Sequence, residues 1–89
     1  MDISLFYVYI LECSDNTLYT GWTKNIEKRI QEHNHGKAGA RYTRSRRPVK
    51  PVYIEVYPTL SDALKREAQI KKLSRTQKLQ LLNDSPHSL

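Results

Sequence analysis

Phe6-Tyr7-Val8-Tyr9-Ile10-Leu11, followed after a polar break by Thr17-Leu18-Tyr19-Thr20-Gly21-Trp22, decides the fold. Both runs are rich in the aromatic and β-branched residues that suit a pleated, half-buried surface. Ser14-Asp15-Asn16 between them is turn chemistry, because Asn16 tolerates a left-handed backbone. Residues 6–22 therefore read as a hairpin. The length of the turn decides which side chains share a face, since a slip of one residue moves each of them across the sheet. A three-residue loop over 14–16 opposes Cys13 with Thr17 and puts Tyr9 and Tyr19 on one face. A two-residue Asp15-Asn16 turn would separate them. The three-residue loop, with Asn16 as its bulge residue, is the expectation.

Working outward, Ile26 and Ile30 repeat at helical spacing, and Asn25 is placed to cap a helix through about His33. Asn34 to Pro51 reads as a long loop with Gly36, Gly39 and Pro48, longer than compact domains usually keep without a function. Val52-Tyr53-Ile54-Glu55-Val56-Tyr57 alternates cleanly and predicts a third strand bounded by Pro51 and Pro58. Ser61 is the expected cap of a helix to about Leu73, and Ser74 of a last helix over 75–82. Residues 83–89 read as a frayed tail. The order ββαβαα predicts an α+β fold, a small three-stranded antiparallel or mixed sheet with helices packed on it. At 89 residues the chain is expected to form one domain, with its core at about 5–82.

The net charge is +6, and its distribution matters more than its sum. No acidic residue lies between His33 and Ile54, while Lys37, Arg41, Arg44, Arg46, Arg47 and Lys50 do. Lys65, Arg66, Lys71, Lys72, Arg75 and Lys78 form a second group that contains one acid, Glu67. Twelve of the 15 cations fall in these two segments, which points to a polyanionic partner rather than to solubility alone. No apolar run is long enough to cross a bilayer, nothing reads as a signal peptide, and neither basic group lies on a helix with a bulky apolar face. The single Cys13 excludes an intrachain disulfide and fits a cytoplasmic setting. Gly36-Lys37-Ala38-Gly39 lacks the spacing of a phosphate loop, and Cys13, His33, His35 and His87 lack zinc spacing.

Two helices carry residues that break their pattern. The stripe Leu60, Ala63, Leu64, Ile70 and Leu73 includes Glu67 at helical spacing. A carboxylate there is costly unless a cation pairs with it, a metal binds it, or it lies at the rim of a cleft. Arg29 follows Ile26 by three residues and His33 follows Arg29 by four, so all three lie near one face. The chain has six tyrosines, whose plainest role is sheet packing with a polar tip at the edge.

Tyr7-Val8-Tyr9, then Tyr19-Thr20-Gly21, then Arg29 and a distant Glu67, resemble the GIY-YIG nuclease superfamily. The stretches YVYIL, LYTGWT, KRIQEHN and REAQIKKLS resemble its small bacterial stand-alone subgroup, which is similar to the catalytic domain of a eukaryotic nuclease that cuts branched DNA. Tyr7, Val8 and Thr20 stand where the motif's name has Gly, Ile and Ile. Trp22 follows Gly21 where some relatives carry a lysine, and Lys24 is the candidate to take its place. The resemblance implies a metal-dependent phosphodiesterase acting on DNA, with RNA left open, as a monomer without a membrane and with room for a protein partner that targets it. It implies that Glu67 holds one divalent cation, Mg²⁺ or Mn²⁺, and that Arg29 pairs with the phosphate in the transition state. Tyr9 or Tyr19 would take the proton of the attacking water, with Tyr9 preferred, and His33 would assist the relay or hold a phosphate. Lys24, Lys37, Arg41, Arg44, Arg46, Arg47, Lys50, Lys71 and Lys72 would contact phosphates, and Tyr42 would stack on an unpaired base. The rival expectation is a binding module that kept the fold without catalysis. The joint presence of Tyr9, Tyr19, Arg29 and Glu67 favours the enzyme.

Overall fold

The computed structural model describes residues 4–36 and 41–84. Strand β1 (Phe6–Glu12) is the centre of a three-stranded antiparallel sheet, with β2 (Leu18–Thr23) on one side and β3 (Lys50–Tyr57) on the other. Helices α1 (Ile26–His35) and α2 (Arg41–Arg44) lie between β2 and β3, and α3 (Leu60–Lys71) and α4 (Arg75–Asp84) follow.

The hairpin has the three-residue loop. The Cys13 amide donates to the Thr17 carbonyl and the Asn16 amide to the Cys13 carbonyl, both at 2.9 Å. Asn16 takes φ 66°, the left-handed residue such a loop requires. Leu11 then faces Tyr19 and Tyr9 faces Gly21, so both tyrosines lie on one side of the sheet.

Each face has its own core. Val8 and Ile10 pack with Tyr53, Ala63 and Ile70 on the side covered by α3, with Leu81 and Leu82 of α4 at the margin. Tyr9, Leu11, Cys13 and Val49 form the other core, with Ile26 and Ile30 of α1 against it. Fully burying an Ile10-sized side chain contributes roughly 2 kcal/mol, so a core this small depends on every member.

Several boundaries differ from the sequence expectation, and α4 runs to Asp84, two residues into the stretch read as a frayed tail. β3 begins at Lys50 and passes through Pro51, because it is an edge strand and the ladder is irregular where Leu11 meets Pro51. The segment expected to be all loop contains the short α2. The cap of α3 is Thr59, whose hydroxyl accepts from the Asp62 amide at 3.2 Å, while Ser61 falls inside the first turn. α3 ends at Lys71, where the cap Lys72 donates its amide back to the carbonyls of Gln69 and Ile70. The α3 stripe is also narrower than expected. Ala63 and Ile70 are buried, but Leu60 and Leu64 are exposed. Glu67 belongs to the buried row, four residues after Ala63 and three before Ile70. Ser74 and Gln77 cap α4 reciprocally, at 2.9 and 3.1 Å.

Candidate active site

The site is built on the hairpin. Tyr9 projects from the central strand and its ring lies over Gly21 of β2. A methyl group on Gly21 would come within 2.6 Å of the Tyr9 hydroxyl, so this strand position admits only glycine while Tyr9 keeps its place. Tyr19, two residues before Gly21, lies beside it with ring centroids 6.4 Å apart.

Helix α1 supplies the polar partners. Its cap, the Asn25 side chain, accepts from the Lys28 amide and fixes where the helix starts. Arg29 and His33, one turn apart, then face the sheet. His33 is fully buried, and its Nε2 lies 2.9 Å from the Tyr9 hydroxyl. Its Nδ1 lies 2.7 Å from the hydroxyl of Thr43 on α2. His33 therefore lies inside the fold and not at the surface of a helix end. Burial, reinforced by the positive charge of Arg29, pushes the His33 pKa down to about 4, so the ring is neutral at physiological pH.

Burial also pushes the Tyr9 pKa up to about 12. The hydrogen bond from Arg29 works the other way, while Tyr19 and the negative charge of Glu67 add to the rise. One phenol oxygen thus feels groups from β2, α1 and α3. Arg29 also pairs with Glu32 at 3.4 Å. Glu67, mostly buried, meets Lys71 one turn along at 3.6 Å, the ion pair that the sequence offered as its alternative to a metal role.

Among the described residues no group of three or more His, Cys, Asp and Glu side chains could hold a metal ion. The donor set at Glu67 is a single carboxylate. That does not suit zinc, which wants three or four protein ligands. It does suit Mg²⁺, which keeps most of its waters and takes one or two carboxylates.

The basic residues divide into several kinds. Arg47 donates to the carbonyls of Glu32, His33 and Gly36, so it caps the C-terminus of α1 instead of facing solvent. Arg46 donates to Asp15 at 3.0 Å and to the Tyr42 carbonyl at 2.9 Å, with its guanidinium 4.1 Å from the centre of the Tyr42 ring. Tyr42 is itself stacked on Tyr19 at 5.8 Å, and Tyr19 meets His33 edge-on at 5.1 Å. Tyr42 is thus already engaged by two neighbours. Lys50 pairs with Glu12 at 3.4 Å, and Lys24 lies over the Phe6 ring at 5.6 Å. Arg44, Lys50, Lys71 and Lys72 are exposed. Lys37 and the side chain of Arg41 lie outside the described residues.

Three residues of the site were missed in the sequence. Thr43 sits in a stretch with no periodicity. Asn34 donates to the Val49 carbonyl at 3.0 Å and accepts its amide at 2.7 Å, tying the end of α1 to the start of β3. The capping role of Arg47 was hidden in a run of like charges. Gly21 did carry a signal, because a glycine inside a strand often marks close approach.

A family model described as the GIY-YIG catalytic domain matches residues 5–80. The UPF0213 protein of Syntrophus aciditrophicus is 69% identical over 83 residues, covering 93% of this chain and 95% of that one. The UPF0213 protein of Clostridium perfringens is 60% identical over 77 residues, covering 86% and 82%. The solution structure of a UPF0213 protein from Bacillus halodurans superposes with a TM-score of 0.59 at 43% identity, covering 89% of this chain and 83% of that one. A second solution structure, of a protein from E. faecalis, gives 0.63 at 44% identity with the same coverage.

Proposed function

The chain belongs to the GIY-YIG catalytic domain family, and from that premise we propose that it hydrolyses phosphodiester bonds of DNA, with Tyr9 as the proton acceptor for the attacking water. The observation that carries this reading is that His33 and Arg29 both hydrogen-bond the Tyr9 hydroxyl, with Tyr19 beside it and the charge of Glu67 felt there.

With a pKa of about 12, Tyr9 offers only about one phenolate in 10⁵ at pH 7. A preformed phenolate is rare in the free chain, and the Tyr9–His33 hydrogen bond offers the proton a way through. Tyr9 donates its O–H to neutral His33 Nε2, which leaves both oxygen lone pairs for acceptance. Arg29 takes one. The other is available to a water placed for attack. That water passes its proton to the Tyr9 oxygen as the phenol proton moves to His33, so no free phenolate forms. Arg29, with its planar fork, then balances the charge that builds on the phosphate. Glu67 would hold the divalent cation, Mg²⁺ or Mn²⁺. When bound there, the cation supplies Lewis-acid polarisation of the phosphate and stabilises the leaving oxygen. The exposed cations Lys24, Arg44, Lys50, Lys71 and Lys72 hold the backbone of the nucleic acid nonspecifically.

The test is incubation of the chain and of Tyr9→Phe with end-labelled single-stranded, duplex and branched DNA, with Mg²⁺ or with EDTA. Cleavage that needs both the cation and the Tyr9 hydroxyl is expected. The Lys71–Glu67 pair favours a second reading, a binding module whose carboxylate is neutralised internally. Tight binding with no cleavage of any substrate would select it.

A further inference from the structure

Resting on the nuclease reading of the site, we propose that Thr43 is a positioning residue whose hydroxyl fixes which nitrogen of His33 carries the proton. A neutral imidazole has one N–H and one lone pair, and its neighbours choose between them. Arg29 has only donors, so it occupies a lone pair of the Tyr9 oxygen and leaves the phenol proton in need of an acceptor. Among the described residues the acceptor at hand is His33 Nε2, at 2.9 Å. The imidazole proton must then be on Nδ1, and Thr43 Oγ1 accepts it at 2.7 Å. Both residues are fully buried, so water cannot take the place of the hydroxyl.

The segment carrying Thr43 is tied to α1 and to the hairpin loop by several hydrogen bonds. Asn34, the next residue along α1, makes its two hydrogen bonds to Val49. Arg47 clamps the carbonyls of Glu32 and His33 itself. Arg46 is tied to Asp15, and its carbonyl accepts from the Ser14 amide at 2.9 Å. The same stretch of α1 that presents the ring therefore also anchors the chain that sets its tautomer. Without the Thr43 oxygen a buried Nδ1–H has no acceptor among the described residues, and the favoured tautomer carries its proton on Nε2 instead. That N–H would point at a phenol whose own proton points back, and the relay would be closed.

The experiment is ¹⁵N NMR of the His33 ring at neutral pH in the full chain, for the natural sequence, Thr43→Val and Thr43→Ser, alongside steady-state kinetics. The natural chain is expected to show a protonated Nδ1 and a bare Nε2. Thr43→Val should shift protonation towards Nε2 and lower kcat about 10–100-fold with KM nearly unchanged, the loss typical of removing a partner that orients a working group. Thr43→Ser should restore both. A natural chain with the proton on Nε2 overturns the proposal without need of any variant. So does a folded Thr43→Val protein that keeps tautomer and kcat. A tautomer that flips in Thr43→Val, in a chain that cleaves nothing, upholds the positioning of the ring and overturns only the nuclease reading.

Discussion

The two faces of the sheet each hold a cluster of tyrosine, arginine and carboxylate, and the two are organised differently. On the α3 face, Glu55 accepts from both Tyr53 and Tyr57 and from Arg66 at 2.9 and 3.1 Å. Burial alone would raise the Glu55 pKa, but the hydrogen bonds from Arg66 and the tyrosines outweigh it and hold the carboxyl below its usual range. That cluster is closed, with its opposite charges on each other. On the α1 face, Arg29 hydrogen-bonds the Tyr9 hydroxyl and Glu67 of α3 is felt there only through its charge, yet each has its ion pair elsewhere, with Glu32 and with Lys71. Tyr9 and Tyr57 both have their pKa lifted to about 12. For Tyr57 burial is joined by donation to Glu55, whereas for Tyr9 burial is opposed by Arg29. The same side chains make a closed structural rivet in one place and an open cluster, the candidate site, in the other. What separates them is whether the carboxylate is already saturated.

The largest effect should come from removing one carboxylate from each cluster. Glu67→Gln is expected to abolish cation-dependent cleavage while DNA binding persists. Its stability should change by about 1 kcal/mol or less, because an i,i+4 pair with a half-exposed lysine is worth little. Glu55→Gln should do the reverse. It strands the Arg66 guanidinium and two phenols, costing about 2–3 kcal/mol, while turnover per folded molecule is kept. Urea midpoints and single-turnover rates on both variants decide this. Equal stability losses, or equal rates, would erase the distinction between the faces.

Arginine tests the same contrast more gently. Arg29→Lys keeps the charge but loses the planar fork, and turnover is expected to fall about 100-fold with little loss of stability. Arg66→Lys loses the two-pronged contact with Glu55, and about 1–2 kcal/mol of stability should go with it while turnover stays. Unimpaired cleavage by Arg29→Lys would mean that a positive charge alone is wanted at that position.

Most of this scaffold was legible in the sequence, because the hairpin is fixed by local chemistry. Asn16 forces the three-residue loop, and the loop forces Tyr9 and Tyr19 onto one face. Arg29 and His33 were legible because a helix repeats every 3.6 residues. Glu67 stood out as an acid at an apolar position. The remainder depends on contacts distant in sequence. Thr43 meets His33 across ten residues and Arg47 reaches back fourteen to the His33 carbonyl, and no periodicity encodes either. A run of arginines reads as one solvated, basic patch, yet two of its members are spent on carbonyls and on Asp15. Pro51 misled because a proline ends a central strand but is tolerated in an edge strand.

Acid should separate the two clusters by their pH windows. His33 takes up its proton near pH 6.5 when unfolded and near pH 4 when folded. Between those values the unfolded state binds the extra proton, so stability falls as pH falls. The His33 contribution is complete above about pH 6.5 and gone below about pH 4. It amounts to about 2 kcal/mol between about pH 7 and 5. The Glu55 contribution is also lost on acidification, but only from the usual carboxylate range downward, because its folded pKa is depressed. Urea midpoints at pH 7 and 5 should therefore differ in the natural chain and differ much less in His33→Gln. Equal pH slopes in the two proteins would remove His33 as the cause.

The smallest effect compares two buried threonines, one on each face, under one substitution. Thr43 places its hydroxyl on His33, and Thr43→Val should cost about 1–2 kcal/mol by stranding the ring N–H. Thr20 lies opposite Ile10 in β2, and its buried hydroxyl has no hydrogen-bond partner among the described residues. It stands where the motif's name has isoleucine. An unmet buried hydroxyl carries its desolvation cost with nothing returned, and an apolar group of the same shape removes that cost. Thr20→Val is therefore expected to stabilise the fold by about 1 kcal/mol, which raises Tm by about 4–8 °C in a domain of this size. Because Thr20 faces α3 rather than the tyrosines, cleavage should not change. A Thr20→Val protein that melts lower than the natural chain would show that the hydroxyl has a partner in solution, and the contrast between the two threonines would then fail.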